Sequence, residues 1–464
     1  MRKSRMKQIR RMLTYCIIIG VMCLIFTSIH VGIKYPKAQL DTEPIFSTIL
    51  GVVTTPRPGW TINMSTLLFT PSKRDRRVTS IDCQKLFEGD PDETHKAYMT
   101  MARTPRKPIP DAVFTELTRN CSEFVFQRGY LMKPTSDEEA DFPIAFSILM
   151  YKEAEQAERF LRSIYQPQNT YCIHVDRDSP NDLHTAMQGL VSCLPNVFIA
   201  SRLERIVYGG FSRLQADINC MVDLSRRNVS WKYFLNQPSQ AFPLRTNAEL
   251  VKILKIYNGS NDIEGISVEK VPYMKNRFTY HHAFRYPDGA RKPIVVRTAR
   301  RKGKPPHGLN ITKGSAYGVF SRDFVNFILN DQLSQTFLKW CRDTYSPDEH
   351  YWNTLHHTLS NSFLRTPGGF SGMPEAKPWL ATYAAWGGKD PCHGQFRHGV
   401  CIFGIEDLPN LTDRKEFFAN KFYLTHQPLA LDCLEEYMYN RTIQRQPTDT
   451  SYYEHLPFII KGGQ

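Results

Sequence analysis

The chain has 464 residues, of which 41% are hydrophobic and 12% aromatic, so it can bury a large core and exceeds one typical domain length. The formal net charge is +14, and six of the positive charges crowd the first dozen residues (Arg2, Lys3, Arg5, Lys7, Arg10 and Arg11). The remaining +8 is moderate, which suits an anionic ligand and argues against a nucleic-acid-binding protein, where basic patches are usually denser.

An uncharged apolar segment of 21 residues, 13–33, follows the basic arm. It is long enough to cross a bilayer as a helix, and the positive charges before it place residues 1–12 in the cytoplasm. A cleaved signal peptide is the alternative, but no A-x-A-like cleavage site follows. The prediction is a type II signal anchor with the rest of the chain in the lumen.

Three further regions are predicted beyond the anchor. Residues 34–80 are polar and contain Pro36, Pro44, Pro56, Pro58 and Pro71, which indicates an extended stem. A lumenal globular domain follows over 81–440, and 441–464 form a C-terminal tail.

Nine cysteines lie beyond the anchor, and four disulfides with one free thiol account for this number in an oxidising compartment. A zinc site is the alternative, but Cys392 and Cys401 lack the C-x-x-C spacing that structural zinc prefers. Seven N-x-S/T sequons are compatible with glycosylation: Asn63, Asn120, Asn228, Asn258, Asn310, Asn410 and Asn440.

Strands and helices alternate from residue 144. "IAFSILM" and "TYCIHVD" read as buried strands, each followed by a helical segment, and the alternation continues to Tyr257. Repeated βαβ units predict a mostly parallel, Rossmann-like sheet flanked by helices, with ligands bound beyond the C-terminal ends of the strands. No glycine-rich phosphate loop is present in these segments, which disfavours dinucleotide or ATP chemistry.

The following region divides into three parts. Residues 270–306 are basic and are predicted to form a loop, and 314–330 return to a strand followed by a helix. "SPDE" at 346–349 is typical of a helix start, with Ser346 at the N-cap and Glu349 completing a capping box. Glu349 is therefore either a cap or a catalytic carboxylate.

Several segments in order resemble the β-1,6-N-acetylglucosaminyltransferases that make core 2 and I branches on glycans. They include "YQPQNTYCIHVDRDS", "NVFIASRLERIVYGGFSRLQADINCM", "KGSAYGVFSRDFV", "DTYSPDEHYW" and "FFANKFYL", and the resemblance spans about Cys83 to Cys433.

The resemblance implies a single-pass Golgi membrane protein with a GT-A fold and a lumenal catalytic domain. Such an enzyme transfers GlcNAc from UDP-GlcNAc with inversion, without a divalent metal or other cofactor, to a 6-hydroxyl on O-glycosylated glycoproteins. It also implies the pairs Cys83 with Cys433, Cys121 with Cys193, Cys172 with Cys220 and Cys392 with Cys401, and leaves Cys341 free. No nucleic-acid partner is expected, and the oligomeric state is not predicted.

Inverting transfer needs a carboxylate to take the proton of the acceptor hydroxyl, and the resemblance assigns this role to Glu349. It assigns Lys421 to the leaving diphosphate, where cations offset developing negative charge. The second phosphate ligand is Arg397 or His398, because core 2 relatives can carry Arg where this chain has His398.

The resemblance also implies which residues contact the donor and the acceptor. The donor-binding residues are Leu149, Met150, Tyr151, Asp176, Arg177, Asp178 and Tyr208. Asp176 and Asp178 also form a D-x-D, whose alternatives are metal binding or, for Asp178, a helix cap. The acceptor-binding residues are Glu264, Arg277 and Trp386.

The acceptor is the less determined substrate. Core 2 relatives have Cys and Asp in the loop before "FP", whereas this chain has Pro238 and Ala241. The prediction is core 2 branching on the GalNAc of Galβ1-3GalNAc. I-branching on poly-N-acetyllactosamine is the alternative, xylosyl transfer fits less well, and a membrane-displayed glycan-binding pseudoenzyme is the alternative from another class.

Overall fold

The computed structural model describes residues 77–357, 366–445 and 447–459. The predicted anchor, 13–33, and the stem up to residue 76 lie outside the described residues. Among the helices that are described, none is long and apolar enough to span a bilayer.

A six-stranded mixed sheet forms the centre of the molecule, with strand order β3-β2-β1-β4-β11-β6. Strands β3, β2, β1 and β4 are parallel, whereas β11 runs antiparallel to both β4 and β6. The strands of this sheet are β1 (Ile144–Met150), β2 (Thr170–Val175), β3 (Val197–Ile199), β4 (Tyr233–Pro238), β6 (Asp262–Ile263) and β11 (Gly318–Ser321).

Every residue of β1 and β2 is buried, as expected for central parallel strands covered by helices on both faces. The helices that precede the sheet are α1 (Cys83–Phe87), α2 (Pro91–Arg103), α3 (Asp111–Leu117), α4 (Cys121–Arg128) and α5 (Asp137–Ala140). Those that follow are α6 (Ala154–Ile164), α7 (Asn181–Ser192), α8 (Phe211–Ser225), α9 (Asn247–Tyr257), α10 (Asn276–Thr279), α11 (Arg322–Asn330), α12 (Gln332–Cys341), α13 (Tyr351–His356), α14 (Leu408–Thr412), α15 (Pro428–Gln444) and α16 (Ser451–Glu454).

Four two-stranded ribbons surround the sheet, pairing β5 with β14, β7 with β10, β8 with β9, and β12 with β13. Their strands are β5 (Ala241–Pro243), β7 (Ile266–Ser267), β8 (Tyr280–Arg285), β9 (Ile294–Arg301), β10 (Thr312–Lys313), β12 (Gln395–Arg397), β13 (Val400–Ile402) and β14 (Phe418–Asn420).

The alternation of strands and helices between 144 and 257 is confirmed, and the mainly parallel sheet with it. The prediction of a loop over 270–306 is wrong, because β8 and β9 form an antiparallel hairpin there. Its strands carry charged residues where a half-buried strand would carry apolar ones, so no hydrophobic period marks them in the sequence.

The structure contains four disulfides with the same pairings that the family resemblance implies: Cys83–Cys433, Cys121–Cys193, Cys172–Cys220 and Cys392–Cys401. Cys341 is free and fully buried at the end of α12. Burial raises the pKa of its thiol well above the usual value.

A buried ionic network joins α6 to α15. Arg159 Nη2 lies 2.7 Å from both Asp432 Oδ1 and Glu435 Oε2, and Arg162 contacts Glu435 as well as Glu158. The charged face of α6 is thus buried with its partners rather than exposed, which is the condition under which buried charge is tolerated.

Residues 441–459 contribute to the core in their described part, because Tyr453, Leu456 and Phe458 are buried against the sheet layer. The asparagines of the six sequons within the described ranges are all exposed (Asn120, Asn228, Asn258, Asn310, Asn410 and Asn440).

Candidate active site

The candidate donor-binding residues lie where β1 and β2 end. Leu149 and Met150 are the buried last residues of β1, and Tyr151 beyond them is half exposed. Asp176 follows β2 and is buried, with Oδ1 accepting hydrogen bonds from the backbone N–H groups of Asp178 and Ile206. Parallel strands end at one edge of the sheet, so these residues meet there.

The hypothesis that Asp178 caps the next helix is wrong. Helix α7 begins after Pro180 and has no side-chain cap, whereas Asp178 Oδ2 pairs with Arg205 Nε at 2.8 Å. Arg177 lies between the two acids with an exposed side chain, and its backbone N–H donates to Glu204.

A tight turn at 208–210 joins the donor-side residues to the segment that carries Glu349. Gly209 has φ +72°, and a Cβ there would lie 2.6 Å from the ring of Tyr345. The backbone N–H of Ser346 donates to the Gly209 carbonyl at 2.7 Å. Only glycine permits this close approach, which explains Gly209.

The predicted capping box at Ser346 is wrong. Ser346 has φ +47°, its side chain caps no helix, and residues 347–349 form a single 3₁₀ turn before α13. The backbone N–H of Ser346 is taken by Gly209, so the Glu349 carboxylate is not folded back onto it. A strained Ser346 therefore turns Glu349 away from a capping position.

Glu349 pairs with Arg277 instead, with Nη1 2.5 Å from Oε2. Both side chains are about 30% exposed, and the Arg277 guanidinium also lies 5.3 Å from the centre of the Tyr345 ring. Among the described residues, no side chain donates a hydrogen bond to the other oxygen of Glu349. One carboxylate oxygen is thus held in place, and the other is available to a hydroxyl from a substrate.

Glu264 lies beside Glu349 at the end of β6. Gly314 lies against the Glu264 carbonyl and donates its backbone N–H to the Glu349 carbonyl at 2.8 Å. Asn353 Nδ2 donates to the same Glu264 carbonyl at 2.9 Å. Burial raises the pKa of Glu264, the charge on Glu349 adds to that rise, and Lys313 opposes it. Two neighbouring carboxyl groups, one of them with a raised pKa, are typical of a functional site.

A buried polar cluster supports the turn from behind, and sequence reasoning missed it. Burial raises the pKa of Asp348 to about 7, although Arg213 nearby opposes that rise. Arg213 Nη1 lies 2.5 Å from Asp217 Oδ2, and Asp217 also accepts from Ser147 and Asn236. No sequence motif distinguishes these residues, since Arg213 and Asp217 are an ordinary i, i+4 pair on α8.

The candidate diphosphate ligands come together at the β12–β13 turn. Lys421 Nζ donates to the Arg397 carbonyl at 3.0 Å, and burial together with the Arg397 charge lowers the pKa of Lys421. The His398 ring stacks on Tyr208 with centroids 5.8 Å apart, and Cys392–Cys401 ties the ribbon at its base. Both influences on Lys421 disfavour its charged form, and an anion bound beside it would oppose them by favouring the protonated ammonium group.

Trp386 stands against the same turn. It pairs with Val400 in an isolated bridge, and Gly399 lies next to its ring. About half of its surface is exposed, so the indole face is available to a sugar ring.

Two further aromatic and basic contacts were missed from the sequence. Tyr423 lies beneath two ammonium groups, with Lys152 Nζ 4.6 Å and Lys421 Nζ 5.7 Å from its ring centre. Lys292, near the tip of the β8–β9 hairpin, reaches to 3.9 Å from Asp176 Oδ2. The sequence does not indicate this contact, because Lys292 lies in a segment predicted to be a loop.

Within the described ranges, the only three His, Cys, Asp or Glu side chains close enough together to share a metal ion are Cys392, Cys401 and Asp407. Its two sulfurs are joined in a disulfide and are not free thiolates.

The chain is similar to known proteins over most of its length. The family model described as Branch: Core-2/I-Branching enzyme matches residues 144–412. The chain is 37% identical over 389 residues to a human β-1,3-galactosyl-O-glycosyl-glycoprotein β-1,6-N-acetylglucosaminyltransferase 3, covering 80% of this chain and 85% of the relative. It is 39% identical over 373 residues to the human N-acetyllactosaminide β-1,6-N-acetylglucosaminyl-transferase, covering 79% and 86%.

Proposed function

The chain belongs to the core-2/I-branching enzyme family of glycosyltransferases, and on that premise we propose that it transfers GlcNAc from UDP-GlcNAc in β-1,6 linkage to the GalNAc of Galβ1-3GalNAc on O-glycoproteins. The single observation that carries this proposal is Glu349, held through one oxygen by Arg277 and open at the other.

The proposed reaction is a single in-line displacement. The free oxygen of Glu349 takes the proton of the acceptor 6-hydroxyl as that hydroxyl oxygen bonds to the sugar C1. The bond from C1 to the β-phosphate oxygen breaks, and its electron pair leaves with UDP. Lys421 and Arg397 lie together where they would offset the charge of the diphosphate.

The donor is proposed to lie across the C-terminal edge of the sheet, as in a GT-A fold. Asp176 and the backbone around it would face the nucleoside, and Tyr208 and His398 would lie between the nucleoside and the diphosphate cations. Glu264, which lies beside Glu349, and Trp386, whose ring is half exposed, would hold the acceptor sugars.

Transfer without a divalent cation is part of the same proposal. Asp176 already accepts two backbone hydrogen bonds and Asp178 is paired with Arg205, so the D-x-D carboxylates have other partners. Lys421 and Arg397 supply positive charge where a metal ion would otherwise do so.

Transfer to core 2 and to I-branching acceptors must be compared by experiment, because similarity to known relatives does not separate the two reactions. The identity to a relative named for each reaction is similar, 37% and 39%, and Pro238 and Ala241 lie at the end of β4 and the start of β5, close to the site edge. The fully buried Ala241 cannot supply an acceptor-binding carboxylate.

The test is transfer by the full chain in detergent from UDP-GlcNAc to Galβ1-3GalNAc and lactosamine glycosides, with and without excess EDTA. We expect a β-1,6-linked product with Galβ1-3GalNAc, unaffected by EDTA, and loss of at least a hundredfold in kcat for Glu349→Gln. Glu116→Gln, an exposed carboxylate on α3, is the matched control. A folded Glu349→Gln enzyme at near wild-type rate contradicts the assignment, and activity lost in EDTA but restored by manganese contradicts metal independence.

We also propose a Golgi location with a single-pass type II anchor. Four disulfides and six exposed sequon asparagines in the described part of the chain support an oxidising, glycosylating compartment. In sealed microsomes the catalytic part should resist added protease, and digestion there would contradict this topology.

A further inference from the structure

The β8–β9 hairpin is a strongly basic surface near the candidate active site. Residues 270–304 contain eleven lysines and arginines and a single acidic residue, Asp288. The five residues that define the basic hairpin are exposed: Arg285, Arg291, Arg297, Arg301 and Lys304.

The base of the basic hairpin is fixed to the segment that carries Glu349. His281 Nδ1 lies 2.5 Å from Asp343 Oδ2, and Lys302 contacts the other oxygen of the same carboxylate. Arg277, three residues before β8, pairs with Glu349 itself. A molecule bound along the basic hairpin is therefore close to the reacting group.

The five defining charges of the basic hairpin differ from Lys292 and Lys302, which each contact an aspartate. Within the described ranges, none of its five defining residues forms a salt bridge. Register places Arg301 opposite Tyr280 and Arg297 opposite His282, and both guanidinium groups lie over the Tyr280 ring, at 6.0 and 4.8 Å. Like charges gathered on one ribbon repel one another, so an acidic partner would relieve that repulsion.

The length of the hairpin favours a polypeptide as that partner. Strand β9 has eight residues, which span about 26 Å at about 3.3 Å per residue. An extended peptide segment of similar length would match it, whereas two sugar rings cover only a fraction of it. An O-linked acceptor is attached to a polypeptide that must pass close to Glu349.

Building on the proposed function, we propose that the basic hairpin binds acidic residues of the acceptor polypeptide beside the glycosylated serine or threonine. The enzyme then selects O-glycans in acidic sequence contexts. The partner chemistry is peptide carboxylate, and acidic sugars on the glycan are the alternative that the test must separate.

The test compares wild type with the triple variant Arg285→Gln, Arg297→Gln, Arg301→Gln, both as full chains in detergent. The matched control removes three exposed charges elsewhere, in Lys85→Gln, Lys133→Gln, Arg226→Gln. The acceptors are the free Galβ1-3GalNAc glycoside and glycopeptides of equal length with acidic or neutral flanking residues, with and without sialic acid on the glycan.

We expect the triple variant to lower kcat/KM for the acidic glycopeptide about tenfold, since each exposed ion pair contributes little alone. Transfer to the free glycoside and the neutral glycopeptide should stay at wild-type rates, and the difference should vanish at high salt. An unchanged preference for the acidic glycopeptide overturns the proposal. A loss confined to sialylated glycans on neutral peptides overturns it as well, in favour of glycan acid.

Binding of an unglycosylated acidic peptide, followed by fluorescence anisotropy, is independent of catalysis. Weaker binding to the triple variant than to wild type and the control supports the proposal, and equal binding or none overturns it. If no glycoside is a substrate, the proposed function fails, while this measurement still decides the role of the basic hairpin.

Discussion

Replacing Arg277 separates two roles for this residue, because the sequence predicts an acceptor-binding arginine and the structure pairs it with Glu349, the proposed catalytic carboxylate. The Nη1–Oε2 distance is 2.5 Å, and both groups are about 30% exposed. A charge-assisted hydrogen bond contributes about 1.5–3 kcal/mol, and partial exposure places this one near the lower value. About 1.4 kcal/mol is tenfold in rate, and a displaced base costs up to about a hundredfold.

We therefore expect Arg277→Gln to lower kcat ten- to a hundredfold while acceptor KM changes less than threefold. Arg277→Lys should restore part of the loss, because it keeps the charge but not the planar fork. Initial rates of UDP release at saturating donor and varied acceptor measure both constants, with Arg226→Gln, an exposed arginine elsewhere, as the control. A rise in acceptor KM at unchanged kcat would refute the positioning role and favour direct acceptor binding.

Three other perturbations test the surrounding structure. Gly314→Ala places a methyl group against the Glu264 carbonyl and should lower the free energy of unfolding, measured by denaturant titration, by about 2 kcal/mol. The control is Gly303→Ala, whose methyl group meets no atom within 4 Å and which should be neutral or slightly stabilising. Burial raises the pKa of Asp348 to about 7 in the folded state, so the protonated carboxyl favours folding, and this contribution is lost as the pH rises from about 4 through 7. The melting temperature of the wild type should therefore fall over this pH range, and that of Asp348→Asn should lack this fall. Parallel profiles of melting temperature against pH for the two proteins would contradict the prediction. Replacing Cys392 and Cys401 by serine frees the β12–β13 ribbon and should raise the KM for UDP-GlcNAc several-fold with a smaller effect on acceptor KM; an unchanged donor KM would show that the ribbon is held by other contacts.

The central sheet could be predicted because its signals are local. "IAFSILM" and "TYCIHVD" are continuous apolar runs between helical patterns, and β1 and β2 begin at the first residue of each, with β2 ending one residue before Asp176. The βαβ rhythm then places Asp176 and its neighbours at the edge of the sheet without any knowledge of tertiary contacts.

The environment of Glu349 could not be predicted in the same way. The letters S-P-D-E favour a capping box, but a backbone hydrogen bond from Ser346 to Gly209, over a hundred residues earlier in the chain, sets its actual conformation. The sequence predicts a loop in place of the β8–β9 hairpin for a related reason. Its strands are stabilised by pairing and by anchors such as Asp343, while their exposed side chains carry no alternating pattern.

The buried thiol at the end of α12 gives the molecule an internal reporter. Within the described ranges every other cysteine is bonded to a partner, so Cys341 carries the single free thiol there, and it is buried in the same core cluster as Phe337 and Tyr351. An alkylating reagent can reach this sulfur only when that region unfolds locally. The labelling rate of the peptide that contains Cys341 therefore reports how often this local unfolding occurs. Ligands that bind the native fold should slow this labelling, and the logarithm of the rate should fall in proportion to the free energy by which they stabilise the fold.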